Sequence, residues 1–441
     1  MASNCWYIAL SRTTTWELSS QVGSSLPSRY CIVYSLRMKR MYLDHAALTP
    51  VDKKVLKEME KYSSSEYANP SSSHTEGVRA KKALEEARRK AAAFLRALPD
   101  EIIFTGSGTE ANNLAIIGLT EMLISTGKKY SDLHMITSVI EHPSVLECAQ
   151  YLEKKGVRVE YVGVNGRGIV NVEDIKKLLR PETFLVSIMM VNNEIGTIQP
   201  VRDIAKVIRN YQFVIPVQTG IQSGSPHSRG RHQNVVFHTD ASQAPCYLDL
   251  NVEKFGVDLL TLDAHKVYGP RWIGLLYTKR GIELAPLVYG GGQEKGVRSG
   301  TENLPAIMGF AKALEIAASL RDKETARLTT LRDYCISKLA DNIKGVVLNG
   351  DALHRIANNI NISIPDIDNE YVVLFLDAQG IAVATKSSCL RDEAASYVVK
   401  ALGRSDDLAR RSVRISLGRD TKKSDIDYVV KIIKKVIDTQ I

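Results

Sequence analysis

Apolar positions in the middle of the chain form short runs that alternate with segments of helical spacing. From Val78 to Leu98 apolar residues recur about every three to four positions, which predicts an amphipathic helix. Short apolar runs separated by helices indicate a mostly parallel sheet covered on both faces, with ligands at the carboxyl ends of its strands. The predicted strands are Ile102 to Thr105, Met135 to Val139, Val157 to Val164, Phe184 to Val191, Val235 to Asp240, Leu259 to Leu262 and Ile273 to Tyr277.

The pattern divides the chain into unequal parts. Residues 1–40 are rich in Ser and Thr and show neither helical nor strand spacing, so we expect a disordered extension; a transit peptide is the alternative. A stretch at about 212–233, rich in Pro, Gly, Ser and His, indicates an inserted surface loop. We expect a large α/β domain over 53–318 and a smaller α/β domain built from 41–52 and 319–441.

Composition narrows the class of protein. The chain has 441 residues, of which 44% are hydrophobic and 24% are charged, enough to bury a large core. It contains neither the roughly 20 uninterrupted apolar residues of a membrane-spanning helix nor a secretory signal, so we expect a cytoplasmic protein without a membrane partner. Most of the +9 net charge lies in residues 1–40 and 212–233, and the nearly balanced remainder argues against direct nucleic-acid binding.

The six cysteines are scattered and form no Cys-x-x-Cys pair. This spacing is typical of neither a disulfide scaffold nor a zinc site, so we expect no metal. Each thiol is expected to be a small buried apolar residue unless its surroundings indicate otherwise. The cysteines are Cys5, Cys31, Cys148, Cys246, Cys335 and Cys389.

Three segments carry candidate chemistry. Phe104 to Asn113 places a Gly-rich turn between a strand and a helix, where unpaired N–H groups and the Thr109 hydroxyl suit a phosphate. Lys266 follows a predicted strand, where partial removal from water favours the uncharged amine that forms a Schiff base. Asp240 ends an apolar strand, where a carboxylate needs a cationic or hydrogen-bonding partner.

Each segment also has an ordinary interpretation: a Gly-rich turn without a ligand, a solvated surface lysine and a strand-end cap. Together, however, the three require one ligand that bears a phosphate, an aldehyde and a ring nitrogen. That ligand is pyridoxal phosphate, which binds to a lysine as a Schiff base and has an aspartate at its pyridine nitrogen.

With these segments the sequence resembles the cysteine desulfurases of the class V aminotransferase family, and most closely the branch that serves iron–sulfur cluster assembly. The resemblance runs from Met41 to the C-terminus, apart from the predicted inserted loop. It implies a fold type I pyridoxal-phosphate enzyme of the α/β class, with a mostly parallel seven-stranded sheet in a large three-layer domain and a smaller α/β domain. The motifs that carry it are Leu43 to Ala47, Asn69 to Ser72, Val191 to Gly196, His265 to Pro270, Gly290 to Glu294, Arg298 to Asn303 and Val413 to Gly418.

The resemblance implies a role for each matching position around the cofactor. Lys266 would bind the cofactor and move the Cα proton, and Asp240 would keep the pyridine nitrogen protonated. His142 would stack on the ring and take part in catalysis, while Gln243 would hydrogen-bond the phenolic oxygen. The phosphate would be held by Gly108, Thr109, His265 and Thr301 of the partner subunit. A homodimer is therefore implied.

The resemblance also implies how the substrate is held and where its sulfur goes. Arg414 would clamp the carboxylate of L-cysteine through its planar fork, with Asn192 beside it. Cys389 would attack the substrate sulfur, leaving L-alanine and a persulfide; its polar, aperiodic surroundings are typical of a mobile loop with a reactive thiol. The implied partners are sulfur-acceptor proteins such as an iron–sulfur scaffold.

Several features depart from the family pattern. Asp263 stands where the family usually has a phosphate-binding Ser, and a carboxylate there would repel the phosphate unless it turns away or pairs with a cation. Trp272 replaces a usual Gly, Thr385 and Lys386 alter the run before the loop cysteine, and the insertion lies just upstream of the strand that carries the acid. Two other functions therefore stay open: a selenocysteine lyase or another class V β-eliminating enzyme, and a catalytically silent member that serves as a scaffold.

Overall fold

The computed structural model describes residues 40–214, 235–386 and 395–439. The predicted extension up to residue 39, the predicted loop from residue 215 onward and Cys389 lie outside these ranges. The helix Val201–Val214 continues past the predicted start of that loop at Gln212. None of the helices in the three ranges is long and apolar enough to cross a membrane.

The strands of the described chain form three sheets. They are β1 Met41–Tyr42, β2 Ile102–Thr105, β3 His134–Ser138, β4 Arg158–Val162, β5 Thr183–Ser187, β6 Val236–Asp240, β7 Leu259–Asp263, β8 Gly274–Thr278, β9 Val347–Leu348, β10 Asn359–Ser363, β11 Ile381–Ala382 and β12 Ser412–Ser416. Within these residues the largest sheet has seven strands in the order β2-β8-β7-β6-β5-β3-β4. β8 runs antiparallel to both neighbours and every other pair is parallel, so the predicted mostly parallel seven-stranded sheet is confirmed.

Helices cover both faces of this sheet, which explains why its strands are apolar along most of their length. Successive residues of one strand enter different apolar clusters: Leu185 packs in one, and Val186 packs in the other. The same alternation occurs in β8 at Leu275 and Leu276. The α-helices of the described residues are α1 Lys53–Ser64, α2 Thr75–Leu95, α3 Gly108–Asn113, α4 Leu119–Ser125, α5 Pro143–Lys155, α6 Val172–Leu178, α7 Val201–Val214, α8 Val252–Phe255, α9 Leu304–Asn342, α10 Asn369–Ala378, α11 Tyr397–Ala401, α12 Asp406–Arg410 and α13 Lys423–Asp438.

One predicted strand is longer than the observed one. The apolar run Phe184 to Val191 predicts a strand over its whole length, but β5 ends at Ser187. The residues beyond it stay buried, and the N–H groups of Ile188 and Met190 still donate to the carbonyls of β6, at 3.1 and 2.8 Å. The Met189 N–H donates to both oxygens of the Glu141 carboxylate at 2.9 and 3.0 Å. The apolar run therefore reports burial rather than the length of the strand.

A second apolar core surrounds the three-stranded sheet β12-β10-β9. The long helix α9 links the two cores, since Ala317 still packs in the large core whereas Leu328 packs in the second. The predicted boundary at 318/319 falls between these two residues, inside a continuous helix. Leu43, from the segment that precedes the large domain, also packs in the second core.

Candidate active site

A cavity of about 190 Å³ opens at the carboxyl ends of β6 and β7, the position expected for a ligand of a parallel sheet. Asp240 and Asp263, the last residues of these two strands, both line it. The predicted site residues that line the cavity are Gly108, Thr109, His142, Asp240, Gln243, His265, Lys266 and Arg414.

The amine of Lys266 is buried in this cavity. The residue follows β7 in a short 3₁₀ turn, Ala264–Lys266. Its Nζ donates hydrogen bonds to the carbonyls of Ala46 and Ala47 at 2.8 and 2.7 Å. Burial lowers the pKa of Lys266 from 10.5 to about 8, although the nearby Asp263 carboxylate opposes the shift. At pH 7 about a tenth of this amine is therefore uncharged, far more than for an ordinary lysine, and the uncharged amine is the nucleophilic form.

The Asp240 carboxylate is held by two donors. Its Oδ2 accepts a hydrogen bond from Asn112 Nδ2 at 2.8 Å, and its Oδ1 accepts one from the Ser242 N–H at 2.9 Å. Asn112 lies in α3, one turn after the Gly-rich segment, so this helix orients the acid from the side. Sequence reasoning missed Asn112. Its only signal was the spacing of four residues from Gly108, which places both on one helix face.

His142 caps the N-terminus of α5. Its Nδ1 accepts a hydrogen bond from the Ser144 N–H at 3.2 Å and lies 2.8 Å from Ser144 Oγ. Burial lowers the pKa of His142, even though the Asp240 carboxylate opposes this effect. A neutral imidazole with its Nδ1 engaged in the cap therefore faces the cavity, and a neutral ring is suited to stacking on an aromatic ligand.

Gln243 and Lys266 share one backbone acceptor. Gln243 Nε2 donates to the Ala46 carbonyl at 3.0 Å, beside the bond that this carbonyl accepts from the lysine. The segment Leu43 to Ala47 therefore brings the amide and the amine together. These backbone acceptors are not visible in a sequence pattern.

At the opposite end of the cavity Asp263 engages the turn that was predicted to bind a phosphate. Its Oδ2 accepts a hydrogen bond from the Gly108 N–H at 2.7 Å, and its Oδ1 lies 2.5 Å from His265 Nδ1. Burial alone would raise the pKa of Asp263, but the hydrogen bond and charge of His265 and the Gly108 N–H outweigh it and lower that pKa. The carboxylate is thus held between the Gly108 N–H and the His265 imidazole.

The Arg414 guanidinium is buried at the far side of the cavity. Nη2 donates to Asp44 Oδ1 at 2.7 Å and Nη1 donates to the Asn193 carbonyl at 2.9 Å. Its Nε has no hydrogen-bond partner within the described residues. A buried arginine with donor capacity to spare is suited to a carboxylate ligand.

The structure does not bring Asn192 to the cavity. Its amide donates to the Ile140 carbonyl at 2.9 Å and its oxygen accepts from the N–H groups of Glu194 and Ile195, so the side chain stabilises a turn. Asn193 lines the cavity instead. The adjacent asparagines are indistinguishable in the sequence, because the backbone of the turn decides which of them faces the ligand.

Two further predicted residues lie away from this cavity or beyond the described chain. Thr301 is exposed and does not line the cavity of its own chain. Cys389 lies outside the described residues, but the segment before it is anchored: the backbone of Ala384 pairs with that of Arg414. Lys386 is buried.

Three other cysteines fulfil the expectation of inert buried thiols. Burial raises the pKa of Cys148 and Cys335 to about 12 and that of Cys246 to about 11, so little thiolate forms at neutral pH. No cluster of His, Cys, Asp and Glu side chains in the described ranges is suited to a metal ion.

Trp272, which stands where the sequence resemblance expects Gly, has a backbone conformation that favours Gly. Its backbone lies in the left-handed region with φ of +62°, and its side chain is 80% exposed. The substitution therefore strains the backbone without disturbing the core.

The arrangement fits pyridoxal phosphate at its ring and amine ends. A cavity between Lys266 and Arg414 contains a carboxylate with two fixed donors, a neutral histidine and a buried amine of lowered pKa. On a mostly parallel sheet covered on both faces, these groups define a pyridoxal-phosphate enzyme. The phosphate end differs, since the Asp263 carboxylate is bound there.

Comparison with known proteins identifies the family. The family model "Aminotransferase class-V" matches residues 41–223 and 226–429, and the chain belongs to this family. A relative described as "Cysteine desulfurase IscS" from Dictyoglomus turgidum is 41% identical over 91% of this chain and 95% of its own length. Another of the same description from Clostridium botulinum strain Hall is 38% identical over 90% and 94%.

Solved structures agree with this assignment. A structure titled "NifS-like protein" matches with a TM-score of 0.81 and 34% identity, covering 91% of this chain and all (100%) of the other. A structure titled "SspA in complex with cysteine" matches with a TM-score of 0.70 and 34% identity, over 86% of this chain and 99% of the other. The predicted family, fold class and cofactor are therefore confirmed.

Proposed function

We propose that this chain is a pyridoxal-phosphate-dependent cysteine desulfurase, which converts L-cysteine to L-alanine and leaves a persulfide on Cys389. The observation that carries the proposal is that one cavity contains a buried amine of lowered pKa, Lys266, and a buried guanidinium, Arg414. The first suits an aldehyde cofactor and the second an amino-acid carboxylate. The relatives described as cysteine desulfurases support the choice of substrate.

The residues that would hold the cofactor are distributed over the whole cavity. Asp240, fixed by Asn112, is suited to a protonated ring nitrogen, and the His142 ring is suited to stacking. Gln243 would reach the phenolic oxygen, while the phosphate would meet Gly108, Thr109 and His265. When bound, pyridoxal phosphate supplies an electron sink that weakens the bonds at the substrate Cα.

Lys266 is the residue that would move the proton at Cα. An amine whose pKa lies at about 8 can both accept and donate a proton near neutral pH. Its two carbonyl partners, Ala46 and Ala47, orient it from the same short segment that carries Asp44. The segment therefore positions the proton carrier and contacts the substrate-binding arginine.

Arg414 would bind the carboxylate of L-cysteine. The substrate must share this guanidinium with Asp44, which already accepts a hydrogen bond from Nη2. The unpartnered Nε supplies a further donor. Fixing the carboxylate in this way would direct the rest of the amino acid toward Lys266 across the cavity.

Cys389 would receive the sulfur. Its thiolate attacks the substrate sulfur, so that a sulfur–sulfur bond forms and the carbon–sulfur bond breaks; protonation of the remaining carbon skeleton gives L-alanine. Ala384 is anchored to Arg414 by backbone hydrogen bonds of 2.6 and 3.1 Å.

The proposal includes a homodimer, sulfur-acceptor proteins such as an iron–sulfur scaffold, and a cytoplasmic location. Exposure of Thr301 outside its own cavity supports a role in the cavity of a partner subunit. The acceptor and the location rest on the sequence resemblance.

A substrate panel tests the proposal against its rivals. The purified chain, loaded with pyridoxal phosphate, is given L-cysteine, L-selenocysteine or L-cysteine sulfinate, and L-alanine is measured. A desulfurase forms alanine from L-cysteine and loses this activity in Cys389→Ala. Equal or faster turnover of selenocysteine by Cys389→Ala would favour a selenocysteine lyase, and absence of turnover with all three substrates would favour a silent scaffolding member.

A further inference from the structure

Asp263 is held at the phosphate end of the cavity by contacts on both carboxylate oxygens. Oδ2 accepts the Gly108 N–H at 2.7 Å, while Oδ1 accepts the His265 N–H at 3.2 Å and lies 2.5 Å from His265 Nδ1. The side chain is 8% exposed. A backbone N–H and an imidazole are donors that an anionic oxygen requires, so this carboxylate is fully accommodated as an anion.

The Asp263 side chain packs closely against the Gly-rich turn. A Cβ built on Gly108 would lie 3.0 Å from both the Cβ and Oδ2 of Asp263, which shows how closely the carboxylate packs against the turn. On the other side β8 presses on the same turn, since a Cβ on Gly274 would lie 2.4 Å from the carbonyl carbon of Ser107. One neighbouring donor is also engaged, because the Glu110 N–H donates to Ser107 Oγ at 3.1 Å.

A phosphate at this end of the cavity would need the same donors. The phosphate of the cofactor carries close to two negative charges at neutral pH, and a second anion in contact with it is unfavourable where water is excluded. It must therefore displace the Asp263 carboxylate from Gly108 and His265 or bind beside it. In either case the phosphate should bind more weakly than it would if a neutral side chain stood at position 263.

We propose that Asp263 is a built-in competitor of the cofactor phosphate: its carboxylate occupies the phosphate end of the cavity and lowers the advantage of the phosphorylated cofactor over its unphosphorylated form. This inference rests on the proposed function only in its use of pyridoxal phosphate. The competition concerns the phosphate alone, because the amine of Lys266 meets the aldehyde of either form.

The test compares pyridoxal phosphate with pyridoxal, which has the same ring and aldehyde but no phosphate. The dissociation constant of each is measured by equilibrium dialysis with the cofactor-free full chain, its Asp263→Ser variant and its Asp263→Asn variant. Because Asp263→Ser removes a buried competing charge, its dissociation constant for pyridoxal phosphate should be at least about tenfold lower than that of the parent. The pyridoxal constant serves as the internal reference, since removal of Asp263 also changes the electrostatics at Lys266.

Asp203→Ser is the matched control, because it removes the same charge from an exposed helix position whose partner is Lys206. It should leave the ratio of the two constants unchanged. Asp263→Asn removes the charge but keeps an oxygen for the Gly108 N–H, so its ratio should fall between those of the parent and Asp263→Ser. Thermal unfolding of the cofactor-free variants verifies folding, and Asp263→Asn carries the test if the serine variant does not fold.

The deciding quantity is the dissociation constant of pyridoxal divided by that of pyridoxal phosphate. A ratio at least about tenfold higher in Asp263→Ser than in the parent supports the inference. An unchanged or lower ratio, with both aldehydes still bound, overturns it and leaves the proposed function intact. If the parent and both variants bind neither aldehyde, the cofactor assignment itself fails and the inference fails with it.

Discussion

Arg414, which lines the cavity, forms an ion pair with Asp44, with 2.7 Å between Nη2 and Oδ1, although the two residues are 370 positions apart in the chain. The guanidinium is almost completely buried, at 1% side-chain exposure. The pair joins the last strand of the small sheet to the segment that positions Lys266. One short segment, residues 44 to 47, therefore contacts both Arg414 and Lys266.

Replacement of Asp44 should change both stability and substrate binding. In Asp44→Asn the buried guanidinium loses its carboxylate partner, so the free energy of unfolding should fall by about 1–3 kcal/mol. The substrate carboxylate no longer competes for Nη2, and the KM for L-cysteine should fall. Urea unfolding and steady-state kinetics measure the two effects.

Asp52→Asn is a matched control for this prediction. Asp52 forms an ion pair with Arg419 at 2.9 Å, but Arg419, unlike Arg414, does not line the cavity. It should lower stability without lowering KM. A higher KM in Asp44→Asn would contradict competition between Asp44 and the substrate.

The buried amine of Lys266 should make the stability of the cofactor-free chain depend on pH. Its pKa is about 8 in the folded chain and 10.5 ordinarily, so the unfolded chain binds more protons between these values and stability rises with pH there. Relative to Lys266→Met, the parent should gain about 2 kcal/mol of unfolding free energy between about pH 7 and 9.5. Urea unfolding of both chains measures the difference, and a difference that does not vary with pH would contradict the lowered pKa.

The buried carboxyl of Glu141 should make stability depend on pH in the opposite direction. Burial raises the pKa of this carboxyl from 4.5 to about 8, although hydrogen bonds from Ser138 and the Met189 N–H oppose the shift. The folded chain therefore binds more protons between these values, and stability falls as pH rises. Glu141→Gln removes this loss while it can still accept from Met189 and donate to Ser138. The free energy of unfolding of Glu141→Gln, measured by urea unfolding, should exceed that of the parent by about 3 kcal/mol at pH 7 but by little near pH 4.5. An equal gain at both pH values would contradict the raised pKa of Glu141.

The fold was largely predictable because every strand of a doubly covered sheet must be apolar, and the ends of such strands mark the ligand site. That rule places Asp240 and Lys266 together before any coordinates are known. It cannot place Asn112 against Asp240, because the two lie 128 residues apart and meet only through the packing of α3. Nor can it distinguish Asn192 from Asn193, since a single turn decides which side chain faces the cavity.

The departure at Asp263 shows another limit of the sequence. A carboxylate near a phosphate position predicts repulsion, but only the structure shows that it binds Gly108 and His265. Gly108 follows β2, and His265 lies two residues after Asp263. Whether the two can reach the carboxylate depends on the backbone of the turn after β7. The sequence therefore predicts a conflict of charge with a phosphate, but it does not predict the contacts of Asp263.

The central claim is that substrate sulfur passes to Cys389 while L-alanine is released. A single-turnover reaction of the cofactor-loaded chain with L-cysteine, without acceptor or reductant, tests it most directly, with L-alanine quantified and the peptide that contains residue 389 analysed by mass spectrometry. The account predicts equal amounts of alanine and Cys389 persulfide in the parent, and cofactor binding without persulfide in Cys389→Ser. Sulfur transfer by Cys389→Ser to an added acceptor at the parent rate would contradict it.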